Sequence, residues 1–171
     1  GTGERILNPQ TNIELAEGAT AELEMVQIRG VDSTKRETKA VLGKGAHLLI
    51  TERLLTHGQQ TAESDMSVEL EGEDSTVQII SRSVAQEKSK QIFYPRVAGF
   101  NKCRGHVQCD AIIMDQATVR AIPEITAHHA DAQLVHEAAI GRIAGEQIIK
   151  LMTLGLSAKE AEETILQGFM K

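Results

Sequence analysis

The chain has 171 residues, of which 41% are hydrophobic and 2% aromatic, and a formal net charge of −6 at pH 7. That length suits one domain of ordinary size, and the apolar fraction excludes global disorder. The acidic balance lacks the basic footprint of a nucleic-acid binder, and no apolar run approaches the roughly 20 residues that span a bilayer.

With no Trp and one Tyr, the core has to come from Ile, Leu, Val, Ala and Met. Slender aliphatic layers of this kind fit stacked strands or close-packed helices. The N-terminal "GTGERILNPQ" has no apolar signal-peptide core. Two cysteines, Cys103 and Cys109, are too few for a disulfide framework, so a cytoplasmic, reducing compartment is expected.

From Thr2 to about Thr126, short segments of period-two alternation recur, the pattern of half-buried strands. Ala21, Leu23, Met25 and Gln27 share one face of the first, with Val26 and Ile28 blurring the parity. "DMSVELEGED" alternates Met66, Val68 and Leu70 against Ser67, Glu69 and Glu71; "STVQIISRSV" offers Val77 and Ile79; "GHVQCDAIIM" offers Val107, Cys109, Ala111 and Ile113. No "NG" or "DG" dipeptide marks a two-residue hairpin, and the irregularly spaced turns "AEGA", "GKGA" and "EGEDS" suit stacked rungs better. "LAEGATAEL" and "LGKGAHLLI" share Leu-x-x-Gly-Ala, with a glycine free to take the positive φ that turns the chain into the next layer.

After His136 the period changes to three and four. Ile140, Ile143, Ala144, Ile148, Leu151 and Met152 predict an amphipathic helix stopped by Gly155 at C′. Ser157 and Glu160 form a capping box for a second helix, whose buried stripe is Ala161, Ile165 and Phe169. Ile143, Ile148 and Met152 are expected to meet that stripe. Gly141 and Gly145 would thin one side of the first helix. The expected division is a β-core over residues 1–127 and a junction with a two-helix domain over residues 128–171.

Three of the six histidines, His128, His129 and His136, fall with Glu137 in "ITAHHADAQLVHEAAIGRI". The His-Glu-x-x-His pattern of a zinc protease fails here, and adjacent His128 and His129 point to opposite sides of an extended segment. They serve either as junction residues bonded to loop backbone or as part of a metal or cluster site with His136 and Glu137. Cys103, His106 and Cys109 are metal-ligand types, yet 106 differs in parity from 103 and 109. Cys109, between Val107 and Ala111, reads as an inward-facing small residue. Phosphate-binding loops and nucleophile elbows are absent.

From about Thr38 onward the chain resembles the SufB/SufD family of iron–sulfur cluster assembly scaffolds, most specifically in "VQCDAIIMD", "IPEI" and "VHEAAIGRIAGEQIIKLMTLGLSAKEAEETILQGF". The family's N-terminal helical region has no counterpart, which implies a short or truncated member. The resemblance implies a right-handed parallel β-helix, a single-stranded solenoid, followed by a small α-helical hairpin. It implies a non-catalytic scaffold working with a SufC-like ABC ATPase docked on the C-terminal helices. It also implies a homodimer, or a heterodimer with another SufB/SufD-like chain, formed through the end of the β-helix. Where some members carry a cysteine two residues after Asp115, this chain has Ala117, and where the fuller pattern reads Glu-His-Glu, it has Val135-His136-Glu137. His136 and Glu137 are thus the metal and cluster donors carried over, with Cys109 the most plausible thiolate, for an iron–sulfur cluster held transiently at an assembled interface.

Self-association is expected along the strand "VQCDAIIMD", and contact with the ATPase through the "MTLGLS" turn at Leu156. The competing readings are a self-associating β-helix module without a cofactor and a carbohydrate-active β-helix enzyme. The scarcity of aromatic sugar platforms argues against the enzyme.

Overall fold

The computed structural model describes residues 3–27 and 30–171. Ile28, one of the two residues that blur the first predicted strand, lies outside them. Twelve strands build about five turns of a parallel solenoid. The first turn holds β1 (Ile6–Leu7), β2 (Gln10–Leu15) and β3 (Thr20–Gln27); the second, β4 (Ser33–Leu42) and β5 (His47–Thr56); the third, β6 (Thr61–Leu70) and β7 (Ser75–Ala85). The fourth holds β8 (Lys90–Gly99) and β9 (Cys103–Ile113), and the fifth β10 (Thr118–Ala121), β11 (Glu124–Ala127) and β12 (Ala132–Gly141).

Odd and even halves of each turn stack into two sheets. One contains β1 and β2, then β4, β6, β8, and finally β10 and β11; the other runs β3, β5, β7, β9, β12. Every pairing is parallel, as when Ser33, Thr61, Lys90 and Thr118 stack in register. Side chains bonded between neighbouring turns lie 27 to 31 residues apart in sequence. Rungs, not hairpins, are therefore the unit, as the missing hairpin dipeptides predict.

Alternation sets what each column of side chains buries. Leu23, Ile50, Ile79 and Val107 stack in one inward column, and the last three are completely buried. Each such side chain contributes about 1.5–3 kcal/mol. The next column on the same face reads Met25, Glu52, Ser81, Cys109, Ala138. Here polar groups enter the core. Glu52 is 2% exposed and accepts from Ser64 (2.8 Å), Ser81 (3.2 Å) and Arg36 (3.4 Å), while Arg36 also donates to Gln27 at 3.1 Å. Arg36 and Ser64 come from the opposite sheet, so this cluster ties the two sheets together.

The two Leu-x-x-Gly-Ala copies are successive storeys of one corner. Leu15 pairs with Leu42, and Gly18 and Gly45 both take positive φ, +70° and +62°. The opposite corner carries a stack that the sequence does not announce: Gly58, Glu87 and Asp115 all adopt positive φ. The Glu87 carboxylate accepts from the Gly58 N–H, and the Asp115 carboxylate accepts from the Glu87 N–H at 2.9 Å. Each carboxylate thereby satisfies a backbone donor of the turn before it, which offsets the cost of a left-handed conformation in a non-glycine residue.

The chain ends in α1 (Gly145–Thr153) and α2 (Ala158–Met170). The helix predicted to begin just after His136 starts at Gly145 instead. Ala138, Ala139 and Ile140 belong to β12, paired with Cys109, Asp110 and Ala111. A free sheet edge captures this segment, which overrides its helical spacing. Gly141 closes a strand and Gly145 opens the helix, so they do not thin one helix face. Gly155 takes φ +98° after the last turn, and the Ser157–Glu160 capping box forms as predicted. α2 packs on β7. Val84, outward by parity on β7, is completely buried there. Met152, predicted to lie inside the hairpin, is 45% exposed and, with Ile149 and Leu154, leaves an apolar surface on α1 and its turn. No helix among the described residues is long and apolar enough to cross a membrane.

Candidate functional site at the last turn

β12 is the last strand of its sheet, paired with β9 on one edge only. The segment "VQCDAIIMD", expected to offer a free edge, is β9 and lies between β7 and β12. The edge of this sheet left open at the last turn is therefore one strand further on, in β12, which carries exposed Val135 and Ile140.

His136 pairs with Val107 and so ends the column Leu23, Ile50, Ile79, Val107. An imidazole replaces the aliphatic side chain at the open end of the solenoid. Its Nε2 is buried and has no hydrogen-bond partner among the described residues. Burial, with the charge of His106 second, holds its pKa below the ordinary 6.5. The neutral ring, with a lone pair free on one nitrogen, is the form that binds metals. A buried nitrogen without a partner costs on the order of 1–3 kcal/mol, which bonding to a ligand would recover.

Cys109 faces the same interior, two residues beyond Val107, and is 2% exposed. Burial pushes its thiol up to about 11, with the charges of Asp110 and Glu52 adding to the shift. At neutral pH it is a protonated thiol that must lose its proton to become a ligand. Glu137, next to His136 in an extended strand, points to the outer face, where its Oε2 lies 3.2 Å from His106 Nε2. The structure thus brings His136 and Cys109 to the inner face and places Glu137 on the outer one. Ala117, 5% exposed, fills its turn without a donor. Among the described residues no three His, Cys, Asp or Glu side chains converge to hold a metal ion.

His128 and His129 are engaged locally. His128 stacks on Phe100, ring centroids 4.7 Å apart at 4°, and its backbone N–H donates to Gly99 O at 2.8 Å. His129 Nδ1 accepts from the Asp131 N–H at 3.1 Å. Cys103 is a free, buried thiol on the inner face, turned away from outward-facing His106. His106, grouped in the sequence with Cys103 and Cys109, has Glu137 as its neighbour instead. Only the parallel pairing of β9 with β12 brings it beside Glu137.

A parallel β-solenoid followed by two C-terminal helices, with candidate donor residues on its last turn, defines the class. The profile described as "SUF system FeS cluster assembly, SufBD core domain" matches residues 4–169, and the chain belongs to that family. The match begins well before Thr38, so the early strands carry the family pattern too. An iron–sulfur cluster assembly SufBD family protein of Archaeoglobus fulgidus is 31% identical over 167 residues, 96% of this chain and 45% of its own length. Homologues of the same description from Pyrococcus horikoshii and Methanocaldococcus jannaschii are 30% and 28% identical, over 99% and 98% of this chain and 52% and 54% of theirs. The chain spans about half the length of these curated relatives.

Proposed function

We propose that the chain is a non-catalytic scaffold subunit of SUF-type iron–sulfur cluster assembly, holding iron and sulfide as transient cargo at the open end of its solenoid. The observation that carries this reading is His136. It breaks an otherwise aliphatic column where the solenoid ends, and its Nε2 is buried without a partner. Cys109 is the nearby thiol on that face and Glu137 the carboxylate on the rim. One chain supplies too few donors for a stable cluster, since such clusters are held by several thiolate or imidazole ligands. A second SufB/SufD-like chain, the same or a longer relative, pairs along the free edge of β12 and completes the set; an unpaired strand edge is a template for such pairing. The SufC-like ATPase docks on the apolar surface of Ile149, Met152 and Leu154. Leu154 is 73% exposed, whereas Leu156 is half-buried, with its N–H directed back to Leu151 O at 3.5 Å.

Anaerobic reconstitution with Fe2+ and sulfide tests the reading. The parent chain should develop a visible cluster chromophore, and His136→Ala should lose most of it while keeping the parent's circular dichroism. An unchanged chromophore in His136→Ala would return that residue to a packing role. No chromophore in the parent, with dimers by light scattering, would favour a self-associating module.

A further inference from the structure

We propose that His106 and Glu137 form a receiving site for a first-row divalent cation on the outer face of the second sheet. The proposal deepens the scaffold reading, on which it rests, by naming the place where iron first meets the chain as Fe2+. The two side chains project outward from adjacent parallel strands, and Nε2 and Oε2 are 3.2 Å apart. Two protein donors about 2.0–2.2 Å from one ion, at an angle somewhat above a right angle, stand roughly 3.0–3.3 Å apart. The backbone pairing therefore already sets the spacing of a shared coordination sphere, and the ion need only take the place between them.

Both side chains are open to water, at 36% and 66% exposure, and they border a groove of about 560 Å³ lined also by Glu22, His47 and Gln133. The groove leaves room for the water molecules that complete the sphere. An imidazole with a carboxylate suits Fe2+, Co2+ or Zn2+ better than Ca2+ or Mg2+, which prefer all-oxygen sets. The position also has a consequence for the cargo. Glu137 follows His136 directly in β12, so an ion held outside sits across one strand from the unpartnered nitrogen of that imidazole. As a mere surface ion pair, His106–Glu137 would add little to stability.

The test is anaerobic titration of the full chain with Co2+ as a spectroscopic stand-in, followed by calorimetry and visible d–d absorption. His106→Gln and Glu137→Gln should each weaken binding at least about tenfold. His47→Gln, an imidazole in the same groove that bonds Thr76, should bind as the parent does. In proton spectra, Co2+ should broaden the His106 ring resonances first. Binding by His106→Gln within a factor of about two of the parent, or broadening centred on another histidine, overturns the proposal. The titration contains no sulfide and forms no cluster. Failure here therefore leaves the chromophore test of His136 standing, and failure of that test leaves this one standing.

Discussion

Replacing Arg36 by Met would strand Glu52 in the core with the stem volume of its partner retained. The Arg36–Glu52 pair spans the two sheets at 3.4 Å, with side chains only 12% and 3% exposed. Leaving a buried charge unpaired costs about 3–5 kcal/mol, but a carboxylate has a cheaper escape, which is to take a proton. From its ordinary value of 4.5, neutralisation at pH 7 costs about 1.4 kcal/mol per unit, roughly 3.4 kcal/mol in all. At pH 5 the same step costs about 0.7 kcal/mol. Ser64 and Ser81 stay in place for either form of the carboxyl. Loss of the Arg36–Gln27 bond adds about 1 kcal/mol at both pH values.

The sign follows from burial, which already raises the Glu52 pKa against the opposing effects of Ser64, Arg36 and Ser81. A carboxylate raised in the folded state stabilises fully below its ordinary value. That contribution is lost as pH climbs toward the folded value, and removing Arg36 raises the folded value further. Urea unfolding of the parent and Arg36→Met at pH 5 and pH 7, with equal slopes, should show a penalty larger by up to about 2.7 kcal/mol at pH 7. Equal penalties at the two pH values would refute the reasoning and show that packing, not charge, is what Arg36 supplies.

A Cβ built on Gly72 would stand 2.0 Å from Lys44 N and 2.2 Å from Gly43 C; Gly72→Ala should therefore cost at least about 2 kcal/mol, read as a lower urea midpoint. Leu154→Asp should weaken binding to a SufC-like ATPase more than about tenfold with no change in thermal midpoint, and calorimetry showing undiminished affinity would move the contact elsewhere. Because the His136 pKa is lowered from 6.5, the folded chain binds fewer protons than the unfolded one just below that pH. Stability should therefore fall as pH drops through that window, and His136→Asn should flatten the slope there.

Much of this architecture is legible in the residues because a rung repeats its own pattern. Met66, Val68 and Leu70 alternate in the sequence and are buried in the structure; Gly18 and Gly45 turn where Leu-x-x-Gly-Ala says they should. The limits of legibility have physical causes. "HEAAIG" has small residues that fit a helix or a strand, and only the free edge of β9, distant in sequence, makes it β12. Glu87 and Asp115 reach positive φ because each finds a backbone N–H one turn away, which local propensity does not encode. Cys109 could be placed inward by parity, whereas the inward position of His136 and the His106–Glu137 approach depend on register between strands about thirty residues apart. Met152 fits the apolar period as well as Leu151 does, yet one is turned outward; the period marks a stripe without saying what covers it.

The single-file stacking of turns also decides where this molecule breathes. Stability in such an array is close to a sum over neighbours, so an inner strand such as β7 is held from both sides and β12 from one. Local opening draws on the least-held elements first. His136 and Glu137 ride that outermost strand. The buried Nε2 of His136 can therefore be uncovered by loosening a single ladder, with Glu52 and the turns around it still closed.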